Sequence, residues 1–393
     1  MNKLIYTISF IGKSVLKRCK FHYKNLKLKV KRKKLNQTTN MTYESAINIL
    51  SNIYLEKEIS FEKPIRSKDV NYDVSIIVPA FNAEKTIYDC LKSILNQKTK
   101  YTFEIICIND GSTDLTNKII DSFKKDIIII NQKNMGLSEA RNAGMRIAKG
   151  KYFLFVDSDD LLPQNAIDNL MTSALKTDAD IIQGSIAKCS NDGKIFFVNK
   201  CHDIVTNDIK EMYDNNLIGT AWGKLYRRNL WDEIDFFKNY NYEDAIIWCN
   251  IFSKCTRMSF ISKEVYIFRS SKNSLFKRQN NSNKCIDSIW IIKKCIELHK
   301  YMNMQEANDW YQMIVWQLSV GIITRIRLFE NDEVLQAAFV IGKNLVEHLN
   351  SYKNCTFKGK NKKIYEKLEE SFSKAQYIKW IEYSKLLSYS NKI

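Results

Sequence analysis

The chain has 393 residues, 45% of them hydrophobic and 12% aromatic, with only three prolines and twelve glycines. That content excludes a disordered polymer and allows two modest domains, or one average domain with helical extensions. The formal charge of +18 is concentrated in residues 1–34, which hold twelve lysines and arginines and no acid, so the body of the chain is not a general polyanion binder.

On a helical projection of that basic segment, Leu4, Ile8, Ile11, Val15, Cys19, Leu26 and Val30 share one stripe. Lys13, Lys17, Lys20, Lys24, Lys27, Lys31 and Lys34 lie nearly opposite. Leu16, Phe21 and Leu28 fall off the stripe. An apolar face opposed by lysines suits an amphipathic helix on an anionic membrane surface; contact with another protein or the chain's own body, and contact with nucleic acid, are the alternatives. No apolar run approaches the roughly 20 residues of a membrane span, and Leu4–Ile11 runs into lysines instead of a cleavage site. The ten cysteines form no C-x-x-C pair and the four histidines are scattered, which argues for buried free thiols in a reducing compartment and against zinc. The expected location is cytoplasmic, peripheral on the inner face of the cell membrane.

Residues 35–69 read as a helical linker, with a helix over Tyr43–Glu58 and Pro64 beyond it. From residue 70 to 270, short Ile/Val-rich runs alternate with amphipathic stretches. Val74–Val78, Glu104–Ile108, Ile127–Ile130 and Tyr152–Val156 have strand length; Ala83–Asn96, Asp114–Phe123 and Ser138–Ala148 have helical length. This alternation predicts a mixed, mostly parallel α/β sheet with helices on both faces. Residues 271–393 read as a C-terminal α-helical region, as in Ile286–His299 and Trp310–Leu328.

In such sheets ligands bind beyond the carboxyl ends of the strands. The first strand runs into Pro79-Ala80-Phe81-Asn82, where the proline should end the ladder and the aromatic can lie flat on a base. The second ends in Asn109-Asp110-Gly111-Ser112-Thr113-Asp114, a tight turn with Thr113 or Asp114 as helix cap. The fourth ends in Asp157-Ser158-Asp159-Asp160. Three carboxylates in four residues repel one another unless a cation intervenes, and hard oxygen ligands suit Mg²⁺ or Mn²⁺; a solvated turn capped by Asp160 is the plainer alternative.

Three blocks, VSIIVPAFNAEKTIYDCLKSILNQ (Val74–Gln97), EIICINDGSTD (Glu104–Asp114) and NQKNMGLSEARNAGMRIAKGKYFLFVDSDDLL (Asn131–Leu162), together resemble glycosyltransferase family 2 in order and spacing. The resemblance covers about residues 73–270 and implies a GT-A (Rossmann-like) fold and an inverting enzyme of polysaccharide biosynthesis. It implies that Pro79, Phe81 and Asp110 meet the nucleotide, usually uridine, and that Arg141 helps hold that pocket. Asp157 and Asp159 fill the family's DxD pattern, with Asp159, Asp157 and Asp160 as the metal ligands for Mn²⁺ or Mg²⁺. Asn109 departs from the pattern, standing where an aspartate is common. TAWGKLYRR (Thr220–Arg228) and NYEDAIIW (Asn241–Trp248) resemble the acceptor half, which makes Asp244 the expected general base and Glu243 the second choice. The same acids suit the start of a helix. Trp222 is open between stacking on a sugar and core packing. Arg269 and Lys272 belong either over the diphosphate or in a solvated loop. The implied partners are a nucleotide-sugar and a glycan or lipid-linked acceptor; no nucleic acid is implied. The competing reading is an inactive GT-A-like nucleotide-binding module anchored at a membrane. A nucleotidyltransferase is disfavoured by the lack of its glycine-rich basic signature at the first strand.

Overall fold

A computed structural model describes residues 38–190, 193–270, 282–326 and 331–390. The basic segment 1–34 and Lys272 lie outside the described residues. The first four strands are β1 (Tyr72–Ala80), β2 (Phe103–Asp110), β3 (Ile128–Gln132) and β4 (Gly150–Phe155). The helices between them are α2 (Ile87–Leu95), α3 (Thr116–Asp121) and α4 (Leu137–Ile147), preceded by α1 (Tyr43–Ile53). After α5 (Ala166–Thr177) come β5 (Ile181–Cys189), β6 (Ile195–Asn199), β7 (Ile204–Thr206), α6 (Ile209–Asp214), β8 (Lys224–Arg227) and β9 (Met258–Arg269).

The sheet order is β3-β2-β1-β4-β8-β5-β9-β7, with β6 attached to β5. β1 pairs in parallel with β2 and β4, β2 with β3, and β5 with β9; β8 is wedged antiparallel between β4 and β5. The expected mixed sheet is therefore present, with its parallel half on the segment whose apolar runs are continuous. Such runs follow from burial on both faces. Alternate residues of β1 and β2 serve different layers. Ile76, Val78, Ile105 and Cys107 join one core, and Ile77, Ile106 and Ile108 the other.

Pro79 does not end β1. Its ladder with β2 continues through Pro79–Ile108 to Ala80–Asn109, while pairing with β4 stops at Ile77. A parallel strand alternates its hydrogen bonds between two neighbours, so a residue without an N–H is tolerated where one neighbour has departed.

The C-terminal helices are α7 (Asp287–Tyr301), α8 (Asn308–Trp316), α9 (Ile322–Ile326), α10 (Asp332–Glu347), α11 (Lys362–Ser373) and α12 (Tyr377–Ser390), with a π-turn, Gln317–Gly321, between α8 and α9. Their apolar faces share one continuous core with the Ile77 face of the sheet, through Phe155, Tyr226, Trp231 and Phe236. Nor is the 35–69 segment a free linker. Thr42 caps α1 by accepting from Ser45 N–H, and buried Ala46 and Leu50 pack toward the C-terminal helices. Lys57 then pairs with buried Asp287 at 2.8 Å. The helix ends at Ile53, short of Glu58, because Tyr54 turns extended.

Candidate active site

The tips of β1, β2 and β3 converge. Phe81, just past β1, is 47% exposed and available for stacking, whereas Pro79 is buried in the strand. Asn82 accepts from Thr113 N–H at 2.8 Å, and Ala83 N–H donates to Thr116 Oγ1 at 2.7 Å, joining the first two tips. Asp114, not Thr113, does the local capping, accepting from Thr116 N–H at 2.9 Å. Asp110 is buried, and its carboxylate accepts from Gln132 Nε2 (2.7 Å), Met135 N–H (2.8 Å) and Gly136 N–H (2.9 Å). It therefore shapes the loop that leads from β3 into α4. Gly111 allows the close approach: its φ is +71°, and a Cβ there would lie 2.5 Å from Asn134 N.

Asn109 has a local reason to be an amide. Its Nδ2 donates to Asn117 Oδ1 (3.0 Å) and Asn131 Oδ1 (2.9 Å), while its Oδ1 accepts from Ser112 N–H (3.1 Å). A carboxylate donates nothing, so an aspartate would leave two side-chain acceptors unmatched.

The acidic turn follows Val156. Ligand-capable oxygens of Asp157, Asp159 and Asp160 all lie within 4.8 Å of one another. The three differ in what already holds them. Asp160 is fully buried and does not cap a helix; its two oxygens accept from Tyr266 Oη and Arg269 N–H, each at 2.8 Å. Burial, then the charges of Asp159 and Asp157, push its pKa well above the usual carboxylate range. Asp157 gives Oδ1 to Arg141 at 3.0 Å. Asp159 is open to solvent at its edge, yet the surrounding protein and then the charge of Asp157 push its carboxyl up to about 6. Trp222 stacks 4.8 Å from the Tyr266 ring and 5.6 Å from Phe268, half-buried against the residue that supports Asp160. Arg269 is no loop residue. It ends β9 and is pinned by Thr86 O at 3.1 Å and Asp89 at 3.3 Å.

Arg141 is held by acids. Its partners are not the base-side residues Phe81 and Asp110 but carboxylates of both halves of the site: Asp157 at 3.0 Å, Glu243 at 2.9 Å and Asp244 at 3.5 Å. It is 1% exposed on α4, which packs on β1 and β2 so closely that a Cβ on Gly144 would sit 2.6 Å from Ile77 Cγ2. Burial works against its charge, but Asp157, Asp244 and Glu243 outweigh that and raise its pKa.

Glu243 and Asp244 stand at the turn before a short helical segment that contains a π-turn, Ile247–Ile251, so the helix-start and site readings coexist. Asp244 Oδ1 accepts from Ala221 N–H at 3.1 Å. Burial and then Glu243 raise its pKa to about 7, against the lowering pull of Arg141.

Three contributors escaped the sequence reading. Lys224 and Tyr226 on β8 are fully buried behind Asp244, and Tyr266 on β9 carries the acidic turn. The available signal was a lysine two residues from a tyrosine in an apolar strand, hence on the same face of it.

Residues 75–235 match Glycosyl transferase family 2. The glycosyltransferase GlyA of Streptococcus pneumoniae serotype 4 (strain ATCC BAA-334 / TIGR4) is 32% identical over 224 residues, 52% of this chain and 32% of that protein. The uncharacterized glycosyltransferase EpsJ of Bacillus subtilis (strain 168) is 33% identical over 215 residues, 51% of this chain and 62% of that protein. This chain thus spans between 32% and 62% of those two relatives. The structure of S. aureus TarS 1–349 in complex with UDP-GlcNAc superposes with a TM-score of 0.61 at 17% identity, covering 81% of this chain and 92% of that one, a likeness of fold.

Proposed function

Residues 75–235 form a glycosyl transferase family 2 domain, and on that premise we propose that the protein transfers a sugar from a nucleotide-sugar, a UDP-sugar, to an acceptor hydroxyl during bacterial surface polysaccharide assembly. The observation that carries this is the Arg141 guanidinium, which ties Asp157 of the acidic turn to Glu243 and Asp244 at 3.0, 2.9 and 3.5 Å. A donor-side acid and an acceptor-side base are thereby held in one frame.

Phe81 stacks on the base, and the Asp110-shaped loop receives the nucleoside. The residues present fit a divalent cation, Mg²⁺ or Mn²⁺. Asp159 has no side-chain partner among the described residues, Asp157 keeps Oδ2 unengaged, and Asp160 fixes the turn. When bound, such a cation offsets negative charge developing on the departing diphosphate. Asp244 is held through Oδ1 and turns Oδ2 to the acceptor, whose hydroxyl proton it takes as the oxygen attacks C1. A base near 7 is well placed to hold and release a proton at neutral pH. With the leaving group on the opposite face of the sugar, displacement is direct and the anomeric configuration inverts. The acceptor is a glycan or lipid-linked saccharide, and residues 1–34 rest on the anionic inner face of the cell membrane; vesicle flotation with and without them tests the latter. No helix among the described residues is long and apolar enough to cross a membrane.

The test is a donor screen on the full chain, measuring nucleotide released from UDP-, GDP- and dTDP-sugars with Mn²⁺ or Mg²⁺, with Asp244→Asn alongside. We expect release from UDP-sugars. Asp244→Asn should keep UDP binding and lose roughly a hundredfold or more in transfer. UDP binding with no turnover of any donor would favour the inactive module, and native turnover in Asp244→Asn would remove the base assignment.

A further inference from the structure

One peptide unit stands between two ionisable side chains. The Thr220 carbonyl accepts from Lys224 Nζ at 2.8 Å and from Tyr226 Oη at 3.2 Å. The N–H of the same peptide, on Ala221, donates to Asp244 Oδ1 at 3.1 Å. In a trans peptide these two groups point in opposite directions, so an ammonium at one end and a carboxylate at the other both reinforce its dipole. Lys224 Nζ also reaches Trp222 O at 3.4 Å, closing the Thr220–Trp222 turn from beneath.

Closing this turn does not by itself call for a buried charge. It is wholly buried and pairs with no carboxylate among the described residues, while Tyr226 already satisfies the Thr220 carbonyl. Desolvating an ammonium costs several kcal/mol, so packing alone favours an apolar side chain here. Burial pulls Lys224 down to about 7, and the charge of Asp244 opposes that fall.

We propose that Lys224 is a positioning residue for the acceptor base: through the Thr220–Ala221 peptide it fixes Asp244 Oδ1 and leaves Oδ2 to meet the acceptor proton. This rests on Asp244 being the base. Other groups also bear on Asp244. Glu243 is its neighbour in the turn, Arg141 comes from α4, Asp157 from the acidic turn beyond β4, and Tyr226 shares β8 with Lys224. Arg325 arrives from α9, its guanidinium 4.5 Å from the Tyr242 ring. Among these, Lys224 alone acts on the amide that holds Oδ1, apart from the uncharged Tyr226.

The experiment is Lys224→Met in the full chain, with the donor that the screen selects and with UDP plus Mn²⁺ as the binding probe. UDP affinity and donor KM should stay within about twofold. The kcat at pH 7 should fall about tenfold or more, and the acidic limb of the kcat–pH profile should move up by about one unit, because a cation that favoured the carboxylate is gone. A folded variant with native kcat and an unmoved limb overturns the proposal; so does a loss that is equal at every pH. Should Lys224→Met not fold, Lys224→Gln keeps a donor but no charge. It is expected to lose less kcat while the limb still moves, and an unmoved limb again overturns the proposal. If Asp244→Asn kept native turnover, the base reading would fail first, separating that failure from this one.

Discussion

Arg141 is the side chain on which both halves of the site depend, and Arg141→Met should reveal this through pH. Its Nη1 lies 3.5 Å from Asp244 Oδ1. At an effective dielectric constant near 20, that separation corresponds to an attraction of about 5 kcal/mol between full charges. Asp244 keeps 30% of its side-chain surface, so solvent weakens the effect. Even a third of it is worth about one pKa unit. Asp244 already sits near 7 with Arg141 in place. One further unit takes the ionised fraction of the proposed base at pH 7 from about a half to about a tenth, so kcat should fall about fivefold there and recover toward pH 9. The assay is kcat from pH 5.5 to 9.5 for wild type, Arg141→Met and Arg141→Lys. Lysine keeps a charge but cannot span Asp157 and Glu243 with a planar fork, so it should shift the limb less while still losing rate. Loss of the buried pairs should also cost about 3 kcal/mol of stability in urea, at the low end for buried ion pairs because the carboxylates are partly exposed. A folded Arg141→Met enzyme with the native pH profile would refute the reasoning.

Asp159→Asn should abolish transfer and metal-dependent UDP binding, yet melt at the same or higher temperature than wild type without metal at pH 7. A carboxyl raised to about 6 in the fold stabilises only at acid pH and loses that contribution as pH rises through 6, so a neutral amide removes repulsion; a clearly lower melting temperature contradicts this. Tyr266→Phe strips a buried donor from Asp160 and an acceptor from Asp157 N–H. It should cost about 1–3 kcal/mol in denaturant titration and weaken Mn²⁺ binding, whereas native Mn²⁺ affinity would detach Tyr266 from the acidic turn. Gly111→Ala forces a side chain into left-handed backbone against Asn134, so calorimetry should show weaker UDP binding, with at least about 1 kcal/mol of lost stability; unchanged binding would mean that this loop does not shape the nucleotide site.

Much of this was written locally. The four Ile/Val runs, their intervening amphipathic stretches and the turns after them depend on side-chain periodicity and nearest-neighbour chemistry, and so a linear reading recovers β1 to β4 and the acidic turn. The blocks around Phe81, Asp110 and Asp157 carried the family likeness for the same reason. Strand ends were less legible. Whether Pro79 ends a ladder depends on which neighbours flank it, and whether Asp160 caps a helix depends on Tyr266 and Arg269, more than a hundred residues away.

Only the tertiary structure decided who meets whom. Composition and spacing set Arg141 on a helix, but burial against β1 and β2 turned it toward Glu243, 102 residues distant, as well as toward Asp157. Lys224 looked like one lysine among many until β8 was inserted antiparallel between β4 and β5, which buried it behind Asp244. The order of strands in a sheet is set by long-range packing and pairing, which neighbouring residues do not encode. The chemistry of each strand tip is therefore legible in sequence, whereas the pairing of charges across tips emerges only when the sheet closes around them.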